Sequence, residues 1–476
     1  EILPVTDRID LYLLRSRAMF EKKVAEVFNI QPAVIEKDFA SLIAFIESDF
    51  KRRKSQENKG GEEAYKMTSE EEAEAMKFLK TSNLIRSIID DLTSLGYVGE
   101  DDNKLLLYLG ATSRKLSKPI SILIRSQSST GKSFLISVIC NLMPPEDVHQ
   151  WTSLTPKALY YMAQDALKHK FIAIDERAGM EEAEYPIRSL QSGGVLSLAV
   201  PLKNPTRGQI TTEQIIKEGP ISYVDGSTDT RVNPENANRC FEIFLDESAG
   251  QTRLVQRQQK KAHSLEGMSI DADLEAIKRR HRNAQRLLKP VKVVIPFIEY
   301  IDFPSDWIRM RRDHDRFLSL IVSIAFLHQY QRERKEMNGK PYIEATLKDY
   351  AIAYKIAKTV LFNTFQELEK PVFDFYLQLN AMVEKQAEEQ NVEPEEYMFT
   401  RRKIRQSIKL PDYLVKRYMR ILKDLEYFEV KSNGNGSMDA YRLIVQAKKT
   451  DHLSGLTTPS QLKAKMETLK SPLANE

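Results

Sequence analysis

Cysteine is nearly absent: the 476 residues hold two, Cys140 and Cys240. Two thiols build neither a disulfide framework nor a four-cysteine metal site, and the scarcity fits a reducing, cytoplasmic setting. Long apolar runs are missing as well. No stretch reaches the ~20 residues of a membrane-spanning helix, and no signal-peptide pattern opens the chain. An excess of either charge is missing too: 71 Lys and Arg stand against 67 Asp and Glu, a net charge of +4. Any binding to nucleic acid must therefore come from local patches. There is no internal repeat. The chain opens on Glu1 rather than Met, an opening expected of a piece of a longer protein.

Against these absences, 42% of the residues are hydrophobic and 9% aromatic, enough for globular cores in about three domains. Residues 1–66 read as a helical N-terminal segment, with a solvated linker over "KRRKSQENKGGEEAYK" at 51–66. Ser69 and Glu72 have capping-box spacing and start a helix through about residue 80. Residues 67–265 read as an α/β core with preceding helices. Its strands are "ISILIR", "FIAIDE", "GPISYVDGS" and "RCFEIFL". Residues 266–390 are helical in pattern. Residues 391–447 show short helices and then a hairpin turning at "NGNG", and 448–476 read as a loosely attached tail.

The first strand runs into Ser126-Gln127-Ser128-Ser129-Thr130-Gly131-Lys132-Ser133. This is P-loop spacing with Ser126 where the pattern has Gly. Backbone N–H groups from Ser128, Ser129, Thr130, Gly131 and the start of the next helix, through Phe134, can wrap a phosphate. Lys132 can reach the β- and γ-phosphates, and the Ser133 hydroxyl can ligate Mg²⁺. About forty residues on, an apolar strand ends in Asp175-Glu176. Alone, such a pair often marks only a strand end. After a P-loop, Asp175 would hold Mg²⁺ through water and Glu176 would polarise the attacking water. The next strand ends in Ser227 and Thr228, placed to touch the γ-phosphate or that water. Arg239 then precedes the last strand. It either caps that strand and pairs with a carboxylate, or points into a neighbouring subunit's ATP as an arginine finger; the order of motifs favours the finger.

The order of P-loop, "IDE", hairpin, polar strand end and "NRC" resembles an AAA+ ATPase. More closely, "LTPKALYYM", "IRSLQSGGVLSL", "NANRCFEIFLDES", "RRDHDRFLSLIVSIAFLHQYQRE" and "FTRRKIRQSIKL" resemble the helicase portion of bacterial and mobile-element primase-helicase proteins. Those proteins have zinc-finger N-terminal regions and are related to the minichromosome-maintenance (MCM) helicases. The resemblance implies an AAA+ P-loop core with a helical N-terminal region, a helical lid and a C-terminal winged helix. It implies a hairpin gripping DNA in a ring channel, here with Lys203 and Arg207 at the tip "LKNPTRGQ". It also implies a lid arginine sensing ATP, Arg312 or Arg316, with Arg316 preferred because it directly precedes an apolar run.

From Arg401 to Lys423 nine basic residues face one acid, Asp412. Lys416, Arg417 and Arg420 read as one stripe of the expected winged helix that could meet phosphates, though such a domain can equally serve protein contacts. The expectation is a ring-forming, hexameric DNA helicase using ATP and Mg²⁺. It would translocate on single-stranded and forked DNA for a mobile element or phage, with a primase or replication-initiation partner and no membrane contact. The alternatives are a superfamily 3-type phage primase-helicase and a non-unwinding DNA-dependent switch or loader.

Overall fold

The computed structural model describes residues 9, 14–57, 65–155, 157–176, 183–203, 210–228, 239–264, 271–305, 310–361, 368, 370–431, 440–444 and 455–470. The chain divides into two compact units, Glu1–Thr68 with Ser197–Ile216, and Ser69–Leu196 with Lys217–Glu476. In the first, helices α1 (Leu14–Phe28) and α2 (Pro32–Glu57) pack together, with the Phe20 and Phe39 ring centroids 5.9 Å apart. The first part of the linker expected over 51–66 is instead helical, because α2 continues to Glu57. Lys, Arg, Gln and Glu are good helix formers and prolong a helix without an apolar stripe. Residues 58–64 of that linker lie outside the described residues.

The second unit starts with α3 (Ser69–Leu79), α4 (Leu84–Ser94) and α5 (Asp101–Thr112). Glu70, Glu71 and Glu72 fill the first turn of α3, where carboxylates meet the positive end of the helix dipole. Helix α5 is buried at every position from Asn103 to Thr112, as expected of a helix apolar on nearly all sides. It can lie close to the sheet because Gly110 has no side chain: a Cβ there would stand 2.7 Å from Ile122 Cδ1.

The core follows as β1 (Ser121–Arg125), α6 (Lys132–Leu142), β2 (Val148–Trp151), α7 (Ala158–Tyr161), β3 (Lys170–Ile174), α8 (Glu184–Gly193), β4 (Val195–Lys203), β5 (Ile210–Glu218), β6 (Ile221–Ser227) and β7 (Phe241–Phe244). Five strands form one parallel sheet in the order β2-β3-β6-β1-β7, and β4 and β5 form a separate two-stranded sheet. The four strands read from sequence are β1, β3, β6 and β7. Strands β1 and β6 are buried along their whole length, which explains their continuous apolar character. Strand β2, "VHQW", escapes a sequence reading because it is a short, half-exposed edge. The strand order sets the C-terminal ends of β1, β6 and β3 side by side, the position where open α/β sheets bind ligands.

Beyond the sheet come α9 (Ala249–Ala262), α10 (Asp271–Leu287), β8 (Lys292–Val294), α11 (Met310–Leu327), β9 (Lys335–Met337), β10 (Lys340–Glu344), α12 (Leu347–Val360) and α13 (Lys370–Gln390). The expected helical run is thus interrupted by a three-stranded sheet, β8-β10-β9. Asn338 and Gly339, with φ of 53° and 73°, make the two-residue turn between β9 and β10. Helices α14 (Arg401–Ser407) and α15 (Asp412–Asp424) precede the antiparallel hairpin β11 (Phe428–Lys431) and β12 (Ala440–Leu443). The "NGNG" turn lies outside the described residues. These elements share an apolar core with α13 that includes Phe375, Phe399, Val415 and Leu422.

The expected loose tail is corrected over 455–470. Helix α16 (Pro459–Lys470) buries Leu462, and Leu456 just before it is buried as well. The Thr457 hydroxyl accepts from the Asp302 amide at 2.8 Å, Tyr350 donates to the Thr457 carbonyl, and Lys465 pairs with Asp302 at 2.5 Å. Weak periodicity hid a segment anchored by a few side chains. No helix among the described residues is long and apolar enough to cross a membrane.

Candidate functional site

The loop between β1 and α6 turns sharply. Ser129 has φ of 66° and Gly131, which caps α6, has φ of 94°; both lie in the left-handed region where glycine is at ease. Ser128, Ser129 and Ser133 are exposed, and Thr130 is half-buried. Within the loop, the Thr130 hydroxyl donates to the Gln127 carbonyl at 2.9 Å and lies 2.6 Å from Ser126 Oγ. A side chain at 126 therefore props the loop from inside, which makes Ser126 compatible with the turn. Lys132 Nζ donates to the Ser126 and Gln127 carbonyls at 2.8 and 2.6 Å. Burial lowers its pKa from the ordinary lysine value, while the Glu247 and Glu176 charges push it back up.

Three strand ends meet at this lysine. The Ser126 amide donates to the Ser227 carbonyl at 3.3 Å, joining the loop to the end of β6. At Gly226 a Cβ would lie 3.0 Å from the Asp175 carbonyl oxygen and 3.6 Å from Lys132 Cδ. Asp175 and Glu176 extend the β2–β3 pairing by one step each, their amides donating to Trp151 and Thr152 at 3.0 and 3.3 Å. Gln150 Nε2 donates to Asp175 Oδ1 at 3.3 Å. Thr228 is exposed and Ser227 is buried.

A cavity of about 1130 Å³ opens beside the loop, lined by Tyr97, Gly131, Phe134, Gln251, Leu410 and Leu414 among others. Phe134 is 49% exposed, and its ring stands 6.2 Å from that of Tyr97. Burial and the Glu100 carboxylate, which accepts from the Tyr97 hydroxyl at 2.6 Å, push the Tyr97 pKa well up. The tyrosine is thus a neutral apolar wall with its polar tip satisfied.

The loop is also gripped from outside. Glu247 accepts from the Gln127 amide at 3.0 Å and from Gln127 Nε2 at 2.9 Å, and the Tyr413 hydroxyl of α15 hydrogen-bonds Gln127 Oε1. Residues 68–284 match a P-loop domain family. The family is described as the MTBMA_p00010 P-loop domain, and the match together with the loop geometry supports a P-loop nucleoside triphosphatase. No curated protein matches the chain.

The remaining expected site residues lie elsewhere. Arg239 stands just before β7 and donates from Nε to Ser192 Oγ at 2.8 Å. Arg316 donates to the Cys240 carbonyl, pairs with Asp313 and lies 5.4 Å from the centroid of the Phe241 ring. Because β7 runs parallel to β1, both arginines sit at the N-terminal end of the sheet. That is roughly 13 Å of strand rise from the end that carries the phosphate loop. Arg316, expected as a lid arginine sensing ATP, therefore lies away from the phosphate loop of its own chain. Arg312 is exposed on α11. Lys203 ends β4, and Arg207 lies outside the described residues.

The expected stripe on α15 splits as well. Lys416 and Arg420 are exposed and pair within the helix with Asp412 and Asp424 at 2.7 and 3.9 Å. Arg417 is half-buried, because residues i and i+1 point about 100° apart on a helix. Sequence reasoning missed Gly226, Glu247, Tyr97 and Tyr413. Gly226 had a signal, a glycine near the end of a buried strand; the other three reach the loop only through tertiary packing.

Proposed function

We propose that the protein is an AAA+-type, ring-forming DNA helicase that hydrolyses ATP at the interfaces between copies of the chain. The observation that carries this reading is the placement of the candidate ATP-site residues at opposite ends of one parallel sheet. Lys132, Asp175, Glu176 and Thr228 gather at one end, while Arg239 and Arg316 stand at the other, where only another copy's nucleotide would meet them. A two-stranded sheet lies in sequence between the acidic strand and β6, the position of a DNA-gripping hairpin in the MCM-like group. The paired helices α14 and α15 with the hairpin β11–β12 read as the winged helix.

The residues present fit a magnesium nucleotide. Gly226 leaves clear the space between Lys132 and Asp175 that a side chain would fill. Among the described residues no group of three or more His, Cys, Asp or Glu makes a dedicated metal cage; Mg²⁺ is usually held by one or two carboxylates together with phosphates. Ser133 and Asp175 would hold it, and the ion would neutralise phosphate charge. Lys132 would bind the β- and γ-phosphates, and Glu176 would orient and polarise water.

A second reading, a nucleotide-driven switch or loader, is favoured by the contact of α15 with the phosphate loop. A forked-duplex unwinding assay beside an ATPase assay tests the proposal. Strand separation that needs ATP and is lost in Lys132→Ala supports the motor. ATP turnover with no strand separation supports the switch and overturns the motor.

A further inference from the structure

We propose that helix α15 acts on the nucleotide of its own chain, with Arg417 binding its polyphosphate and Tyr413 holding Arg417 in place over the phosphate loop. The inference rests on the reading of residues 126–133 as a nucleotide-phosphate loop. Tyr413 and Arg417 are four residues apart and share one face of α15. The first is fastened to the loop through Gln127. The second lines a small cavity of about 50 Å³ with Ser126, Gln127, Thr228 and Glu247, so it stands between the phosphate loop and the polar end of β6. Lys409, Leu410, Pro411 and Leu414, just before and within α15, line the large cavity beside the same loop.

The charge balance of that small cavity is unusual. Among the described residues Glu247 is the only carboxylate lining it, and it is already engaged by both nitrogens of Gln127. The other arginine there, Arg125, pairs with Glu242 at 2.8 Å. Among the described residues no carboxylate lies within ion-pair distance of Arg417, whereas its exposed neighbours Lys416 and Arg420 both have one. A partly buried cation without a counter-ion costs free energy, and an anion entering the site removes that cost. A guanidinium suits a polyphosphate because it offers parallel N–H donors to two oxygens. The chemistry that completes the site is therefore a nucleoside triphosphate rather than a nucleic-acid backbone passing the exposed side of α15.

Fluorescence titration of the full-length chain with ATP, and the ATP-induced rise in Tm, test the assignment. Arg417→Ala should weaken ATP binding about tenfold or more, the loss of a charged hydrogen bond. Arg417→Lys should recover part of it. Tyr413→Phe should weaken binding less than Arg417→Ala, and exposed Lys423→Ala should match wild type. Without ATP, the Arg417→Ala protein should melt no lower than wild type, because an unpaired charge is removed, while its ATP-induced rise shrinks. Arg417→Ala with wild-type ATP affinity overturns the proposal. So does a variant that keeps ATP affinity and loses affinity for single-stranded DNA. A wild-type chain that binds ATP no better than Lys132→Ala overturns the phosphate-loop reading and this proposal together; loss in Lys132→Ala alone overturns only the role of Arg417.

Discussion

The C-terminal ends of β1, β3 and β6 come together at small residues and backbone, whereas the N-terminal end of β7 is met by two arginines. At the first end Gly226 clears the space between Asp175 and Lys132, and the lysine rests on the loop's own carbonyls. At the second, Arg239 binds Ser192 and Arg316 binds Cys240 and Asp313. One end can receive a phosphate, and the other can offer positive charge to one. A parallel sheet keeps these ends a strand length apart, and in the proposed reading two copies of the chain together close the circuit. The contrast teaches that an arginine's place along a strand, rather than its place in the sequence motif order, decides whose nucleotide it can serve.

The comparison breaks most sharply at Lys132. Lys132→Ala should abolish ATP hydrolysis while leaving the fold intact, because the side chain contacts the loop and fills no core volume. Circular dichroism and a phosphate-release assay on the same sample check this. Turnover at the wild-type rate would remove the phosphate-loop end from the account. The opposite end is probed by Arg239→Ala. If the arginine serves a neighbour, ATP binding should survive while turnover falls by roughly 10³-fold or more. Equal loss of binding and turnover would place its effect in its own chain.

Gly226→Ala sharpens the first end. The added methyl group meets the Asp175 backbone at 3.0 Å, and such overpacking costs about 1–3 kcal/mol. A lower Tm and weaker ATP binding should appear together; an unchanged protein would show that the three strand ends are not tightly apposed. The smallest effect concerns DNA. Lys203→Ala with Arg207→Ala should weaken single-stranded DNA binding across sequences and flatten its salt dependence by roughly one to two units of slope, with basal turnover intact. Lys416→Ala with Arg420→Ala is the competing pair, on the exposed side of α15. Whichever pair lowers affinity more at two salt concentrations marks the main phosphate-binding surface.

Much of the phosphate-loop end was legible because its geometry is local. Ser126–Ser133 is one continuous segment, and Asp175 ends an apolar strand whose burial shows in its composition. Arg239 was located in the chain but not in space, since motif order does not say toward which end of the sheet a residue lies. Arg316 shows the same limit: periodicity found α11, not its contact with Cys240. Strand β2 was hidden by its polar edge, although Asn338-Gly339 was a readable hairpin turn inside a stretch of helical pattern. The contact of Tyr413 with Gln127 joins residues 286 positions apart. No local pattern encodes it, because it arises only when α15 packs near the loop. The basic stripe on α15 failed for a related reason: charge counts along a helix do not record which side is buried.

Mixing two inactive variants probes the two ends at once. Glu176→Gln removes the water-orienting carboxylate and keeps Arg239; Arg239→Ala does the reverse. If hydrolysis sites form between copies, a mixed assembly contains interfaces where an intact Glu176 faces an intact Arg239. Steady-state turnover of the mixture, measured after co-purification through a tag on one variant, should then rise clearly above the sum of the two variants alone. A co-purified mixture whose turnover only equals that sum would contradict the division of the ATP site between chains.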